Sequence, residues 1–139
     1  MKVFVDTNVL VSAVATRGLC ADVLREVLAA HDLVVSRQVL DEVRRVLQTK
    51  FGATQDVIAD FIRLLQQDAI LARTRRIPEV ELRDRADRLI LGAAVASGAD
   101  VLVTGDNELL ELGALEGVEI ISPRQFWTRL RLRPQSTDR

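Results

Sequence analysis

Four short stretches of this chain are continuously apolar: Val3-Phe4-Val5, Leu33-Val34-Val35, Val101-Leu102-Val103 and Val118 to Ile121. Runs of this length without polar alternation mark strands buried on both faces. Between them lie segments with helical periodicity, namely Ala21 to Ala30, Val39 to Lys50, Val57 to Gln67 and Ala86 to Ser97. Strand and helix alternating in this way predict a parallel sheet covered on both sides, a three-layer α/β/α sandwich. Ile70 to Thr74 is a candidate further strand, so the sheet is expected to hold four or five, mainly parallel. Gly98-Ala99-Asp100 reads as a helix end turning into a strand, and Ser122-Pro123 as the start of a last helix.

The 139 residues suit one core. We read residues 1–132 as one domain and the polar, proline-interrupted stretch 133–139 as a disordered tail. With 48% hydrophobic, 28% charged and 4% aromatic residues, the core must be aliphatic.

The net charge of -1 excludes a domain that holds nucleic acid by bulk electrostatics, so any such contact must be local. Arginines supply nearly all the positive charge. They cluster at Arg73, Arg75 and Arg76, at Arg83, Arg85 and Arg88, and at Arg124, Arg129, Arg131 and Arg133, either as solvated faces or as phosphate-binding rims. Cys20 is the only cysteine and lies in an apolar helical pattern, which fits a core residue in a reducing cytoplasm. No run approaches the ~20 apolar residues of a membrane span, and a cytoplasmic protein is expected.

Ligands of an open parallel sheet gather beyond the carboxyl ends of its strands. Asp6 directly follows the first run, and Asp106 follows the third after Thr104-Gly105. At about 100° per residue, Val39, Leu40, Val43, Val46 and Leu47 form one helical stripe with Glu42 on its margin and Asp41 facing water. The same construction on Ala86, Leu89, Ile90, Ala93 and Ala94 puts Asp87 on the margin and Asp84 outside it. Four converging acids repel one another and raise their own pKa values unless a cation neutralises them. Mg²⁺ or Mn²⁺ is the simplest remedy, being a hard cation that prefers carboxylate oxygens and binds phosphates, and this points to phosphoryl-transfer chemistry.

Each acid alone has a structural reading: Asp6 as a helix cap, Asp106 in a turn, Glu42 and Asp87 as rim charges. Together, Phe4-Val5-Asp6-Thr7-Asn8-Val9-Leu10, Asp87-Arg88-Leu89-Ile90 and Val103-Thr104-Gly105-Asp106 resemble the PIN-domain family, nearly to the end of the chain. Within it the likeness is to toxins of prokaryotic toxin–antitoxin pairs, which are small, cytoplasmic, usually homodimeric and RNA-cleaving. The resemblance implies that Asp6, Glu42, Asp87 and Asp106 are metal ligands and catalytic residues, with Asn8 and Thr104 as hydrogen-bonding support. It also implies a small antitoxin, and a four-acid cleft is expected to attract a basic segment of it. The pattern departs after Asp106, where Asn107 and Glu108 stand in place of a lysine or further acid. Glu108 either supplements the site or opens a helix, and the third acid is either Asp84 or Asp87.

Other chemistries lack their parts. His31, the sole histidine, follows a helix end and suits a role there, while Phe126 and Trp127 suit packing against the sheet. No phosphate-binding glycine loop ends in Lys-Ser or Lys-Thr. A haloacid-dehalogenase-like phosphatase needs an acid where Asn8 stands. A receiver domain needs a paired acidic start and a late lysine. A catalytically silent module binding RNA or protein in the same cleft is the alternative from another class.

Overall fold

The computed structural model describes residues 1–73 and 77–132; Thr74, Arg75, Arg76 and the expected tail lie outside the described residues. The elements are β1 (Lys2–Val5), α1 (Thr7–Ala15), α2 (Leu19–Ala30), β2 (Asp32–Ser36), α3 (Arg37–Phe51), α4 (Gln55–Gln66), β3 (Ile70–Ala72), α5 (Arg85–Ala96), β4 (Val101–Val103), α6 (Asn107–Leu112), β5 (Ala114–Leu115), β6 (Val118–Ile121) and α7 (Pro123–Leu132). All four apolar runs are strands. Their central residues Phe4, Val34 and Leu102 are fully buried, as a sheet covered on both faces requires.

The strands form one sheet in the order β3-β2-β1-β4-β6-β5. Every pairing is parallel except β5 with β6. Six strands correct the expected four or five. The addition is β5, an antiparallel two-residue strand across the Glu116-Gly117 turn, too short to carry any periodicity.

From β1 the chain steps outward through β2 to β3, then returns across the sheet to β4 and continues to β6. The direction reverses between β1 and β4, which opens a crevice at their carboxyl ends. One helical layer is continuous, with α1 packed on α2 and α3, and α3 on α4. Because the crossover direction reverses after β3, right-handed connection puts α5 on the opposite face. β2 contacts α2, α3 and α4 as well as α5, so both of its faces are covered.

α3 shows how sequence places the site. Ser36 ends β2, and its hydroxyl accepts the Val39 N–H at 3.2 Å as N-cap. Gly52 ends the helix in the left-handed conformation, φ 59°. Between the caps, Val39, Leu40, Val43 and Leu47 are buried, and burial of each contributes about 1.5–3 kcal/mol. That stripe fixes the rotation of the helix, leaving Asp41 exposed beside Arg44 and turning Glu42 to the margin. Among the described residues no single helix is long and apolar enough to cross a membrane; α1 and α2 pass that test only as a pair bent by 105°.

Candidate active site

The parallel register aligns Val5 with Val103, so the residues that follow emerge side by side. The Asp6 N–H donates to Val103 O at 3.0 Å, and the Thr104 hydroxyl donates to Asp6 Oδ2 at 2.7 Å. Asp6 Oδ1 accepts the Thr7 N–H at 2.7 Å, capping α1. Asp106 caps α6 through Oδ1, accepting from Glu108 N at 2.8 Å and Leu109 N at 3.2 Å, while its own N–H donates to Thr104 Oγ1 at 3.0 Å. Thr104, fully buried, thus ties the two acids together.

Glu42 reaches the same place from α3. Its Oε1 accepts the Thr7 hydroxyl at 2.6 Å and its Oε2 the Gln38 amide at 3.5 Å. Gln38 also donates to Ala86 O at 3.2 Å, which locks the starts of α3 and α5 together. On α5, Asp84 is the N-cap, accepting Ala86 N–H at 2.8 Å, and Asp87 lies in the first turn. A cavity of about 210 Å³ gathers Asp6, Glu42, Asp87 and Asp106, together with Asp84, Thr7, Asn8 and Arg45.

The electrostatics follow from this crowding. The Asp87 carboxyl is pushed up to about 7, first by burial and then by Asp106, Asp84, Asp6 and Glu108. Burial also raises Asp6, an effect opposed by the bonds from Thr104 and Thr7 and reinforced by Glu42 and Asp106. Among the described residues, no three acids, histidines or cysteines stand close enough to form a ready-made metal cluster. The donor chemistry nevertheless fits a hard divalent cation. Five of the eleven residues lining the cavity are acids, and Asp106 Oδ2 is left unbonded by the cap among the described residues.

The remaining candidates divide. Asn8 is exposed and lines the cavity, whereas Glu108 does not line it; Glu108 opens α6, accepts the Arg83 N–H at 3.3 Å and pairs with the Arg83 side chain at 3.7 Å. Both Asp84 and Asp87 line the cavity, but Asp84 is exposed and spends an oxygen on the α5 cap, whereas Asp87 is half-buried. Sequence reasoning passed over Thr7, Gln38 and Arg45. The spacing of Gln38 and Arg45 from Glu42, one turn to either side, was the available signal. Cys20 is half-buried against the core, and Phe126 is fully buried. His31 caps the end of α2 and meets Phe126 edge-on at 6.1 Å.

Comparison with known proteins agrees with this fold. VapBC2 of Rickettsia felis, solved bound to a DNA fragment from their promoter, superposes with a TM-score of 0.62 at 14% identity, covering 88% of this chain and 98% of that one. Mycobacterium tuberculosis VapC20, a sarcin–ricin-loop-cleaving toxin, gives 0.59 at 16% identity, covering 82% and 97%. At such identities the likeness is one of fold. No curated protein sequence matches. The PIN domain family model matches residues 2–108, a span that includes all four converging acids, and the chain therefore belongs to the PIN domain family.

Proposed function

We propose that this chain is a metal-dependent endoribonuclease that hydrolyses RNA phosphodiester bonds at Asp6, Glu42, Asp87 and Asp106, and that it is the toxin of a toxin–antitoxin pair. The support is the convergence of four carboxylates, carried by four separate elements, in one cavity at the reversal point of the sheet. Bound Mg²⁺ or Mn²⁺ would supply charge neutralisation and a more acidic water. The four carboxylates would hold it. Thr104 and Thr7 fix the Asp6 and Glu42 carboxylates in place, so little reorganisation is left for the moment of reaction. In the cation-free cavity burial and acidic neighbours push the Asp87 carboxyl up to about 7, and a cation held by the cluster would relieve that repulsion and favour its ionised form. Arg45, exposed on the cavity wall, offers a cation to the phosphate being cut.

The toxin role draws on the two similar structures, one a toxin that cleaves the sarcin–ricin loop and the other a VapBC assembly on promoter DNA. A small antitoxin with a basic segment fits an acidic cleft of this kind. A homodimer in the cytoplasm completes the reading. The test is a cleavage assay across a panel of structured and single-stranded RNAs. Cleavage is expected with Mg²⁺ or Mn²⁺ and its abolition with EDTA. Equal cleavage in EDTA overturns the metal mechanism, and tight RNA binding without cleavage replaces the enzyme by a silent binding module.

A further inference from the structure

A second and larger cavity, about 320 Å³, opens at the carboxyl ends of β2 and β3 and is lined by Ser36, Arg37, Gln38, Leu71, Ala72 and Arg73. The register pairing Ser36 with Ala72 brings the next residues, Arg37 and Arg73, out at the same edge. Elsewhere on the surface, Arg25, Arg44, Arg63, Arg83 and Arg129 each pair with a carboxylate. Arg37 and Arg73 are exposed and pair with no carboxylate among the described residues. In a chain of net charge -1, two unneutralised guanidinium groups facing one cavity form a local anion site. The first-turn N–H groups of α3 point to the same edge, and the Ser36 cap uses only that of Val39.

This cavity adjoins the acidic one. Gln38 forms the wall between them, lining the arginine cavity while its amide bonds Glu42 and Ala86 O in the other. Arg37 and Glu42 lie five residues apart on α3, about 7.5 Å along the axis. A strand whose phosphate sits among the acids would therefore bring its neighbouring phosphate to Arg37 and Arg73. Leu71, 48% exposed, presents apolar surface there for a sugar or base edge.

Resting on the nuclease reading, we infer that the Arg37–Arg73 cavity is a subsite for an RNA backbone phosphate adjacent to the one that is cut. It positions the strand and takes no part in the chemistry.

The experiment measures binding of a short fluorescein-labelled single-stranded RNA to the full chain by anisotropy, over a range of salt, alongside KM and kcat for cleavage. Arg37→Ala/Arg73→Ala is expected to weaken binding roughly tenfold and to flatten the log K–log[salt] slope by about 0.7 for each phosphate no longer neutralised. KM should rise with kcat nearly unchanged. Arg25→Ala, whose side chain pairs with Asp22, removes one charge as each single cavity variant does, is the control for those, and should match the parent. Because both cavity arginines are exposed, the fold is expected to survive, and the single variants should each show part of the effect. A double variant with parental affinity and slope overturns the subsite, as does an equal loss in Arg25→Ala. Loss of affinity for a polyglutamate peptide but not for RNA overturns it in favour of an acidic protein segment. A parent that binds no RNA overturns the nuclease reading along with the subsite, whereas a parent that cleaves RNA beside an unaffected double variant overturns the subsite alone.

Discussion

Asp87→Asn is expected to stabilise the metal-free protein, and to do so only above the acid range. The Asp87 carboxyl is raised from 3.8 to about 7, first by burial and then by its acidic neighbours. For a group sealed from solvent, that shift amounts to roughly 4 kcal/mol at about 1.36 kcal/mol per pH unit. Asp87 is only half-buried beside an open cavity, so solvent screening reduces the figure to about 1–2 kcal/mol. The sign follows from linkage. Between about pH 4 and pH 7 the native state holds a proton that the unfolded chain has lost, so stability falls as pH rises through that window. Asparagine carries no charge at any pH and escapes the loss. In EDTA at about pH 8 the variant should melt about 3–6 °C above the parent, with the gain gone near pH 4. Saturating Mn²⁺ should reverse the order, because a cation that binds the parent more tightly stabilises the parent more. Circular-dichroism melts at a series of pH values, with EDTA and with Mn²⁺, measure all of this. A variant that melts below the parent in EDTA at about pH 8, or a difference that does not change with pH, refutes the electrostatic account.

The same substitution is expected to remove nearly all RNA cleavage, while Asp84→Ala loses about 1 kcal/mol of stability, as a missing N-cap does, and keeps most activity. An inactive Asp84→Ala beside an active Asp87→Asn would exchange their roles. Thr7→Val frees Glu42 of its 2.6 Å hydrogen bond and should weaken Mn²⁺ affinity roughly 10–100-fold with the fold intact, read by isothermal titration calorimetry; unchanged affinity separates Glu42 from the metal site. Thr104→Val removes a bond that lowers the Asp6 pKa, so the acidic limb of the activity profile should move to higher pH; a profile shifted to lower pH or not at all contradicts that role.

Much of the fold was legible because its signals are local. The four apolar runs needed only hydrophobic length and β-branching, and the margin position of Glu42 needed only the 3.6-residue period and the stripe from Val39 to Leu47. β5 was not legible, since Ala114–Leu115 becomes a strand only by leaning on β6. The site divides in the same way. Asp6 and Asp106 could be placed because each directly follows a strand or a short turn after one. Thr7, Gln38 and Arg45 could not be ranked, because their work depends on contacts made in the folded chain. Thr7 meets Glu42 across 35 residues and Gln38 meets Ala86 across 48. Asp84 and Asp87 stayed open for a similar reason. The helical period put Asp87 on the margin and Asp84 outside it, but it did not encode how deeply the Asp87 carboxyl is buried or which acids surround it.

Helix capping and metal ligation are rival explanations of Asp6 and Asp106 in the sequence, yet the geometry makes them one device. Capping takes one oxygen of each carboxylate and aims it at backbone N–H groups, which fixes the side-chain rotamer. The N-terminal ends of α1 and α6 carry partial positive charge, which lowers the cost of holding carboxylates close together before any cation arrives. Thr104 then joins the two through a single hydroxyl, donating to Asp6 and accepting from the Asp106 backbone. The Asp87 carboxylate caps no helix, and it is the acid that burial and its neighbours push up to about 7. Burial first, and the repulsion left over after capping second, thus act on a carboxylate that spends no oxygen on a cap, and that carboxylate should be sensitive to whether a divalent cation is present.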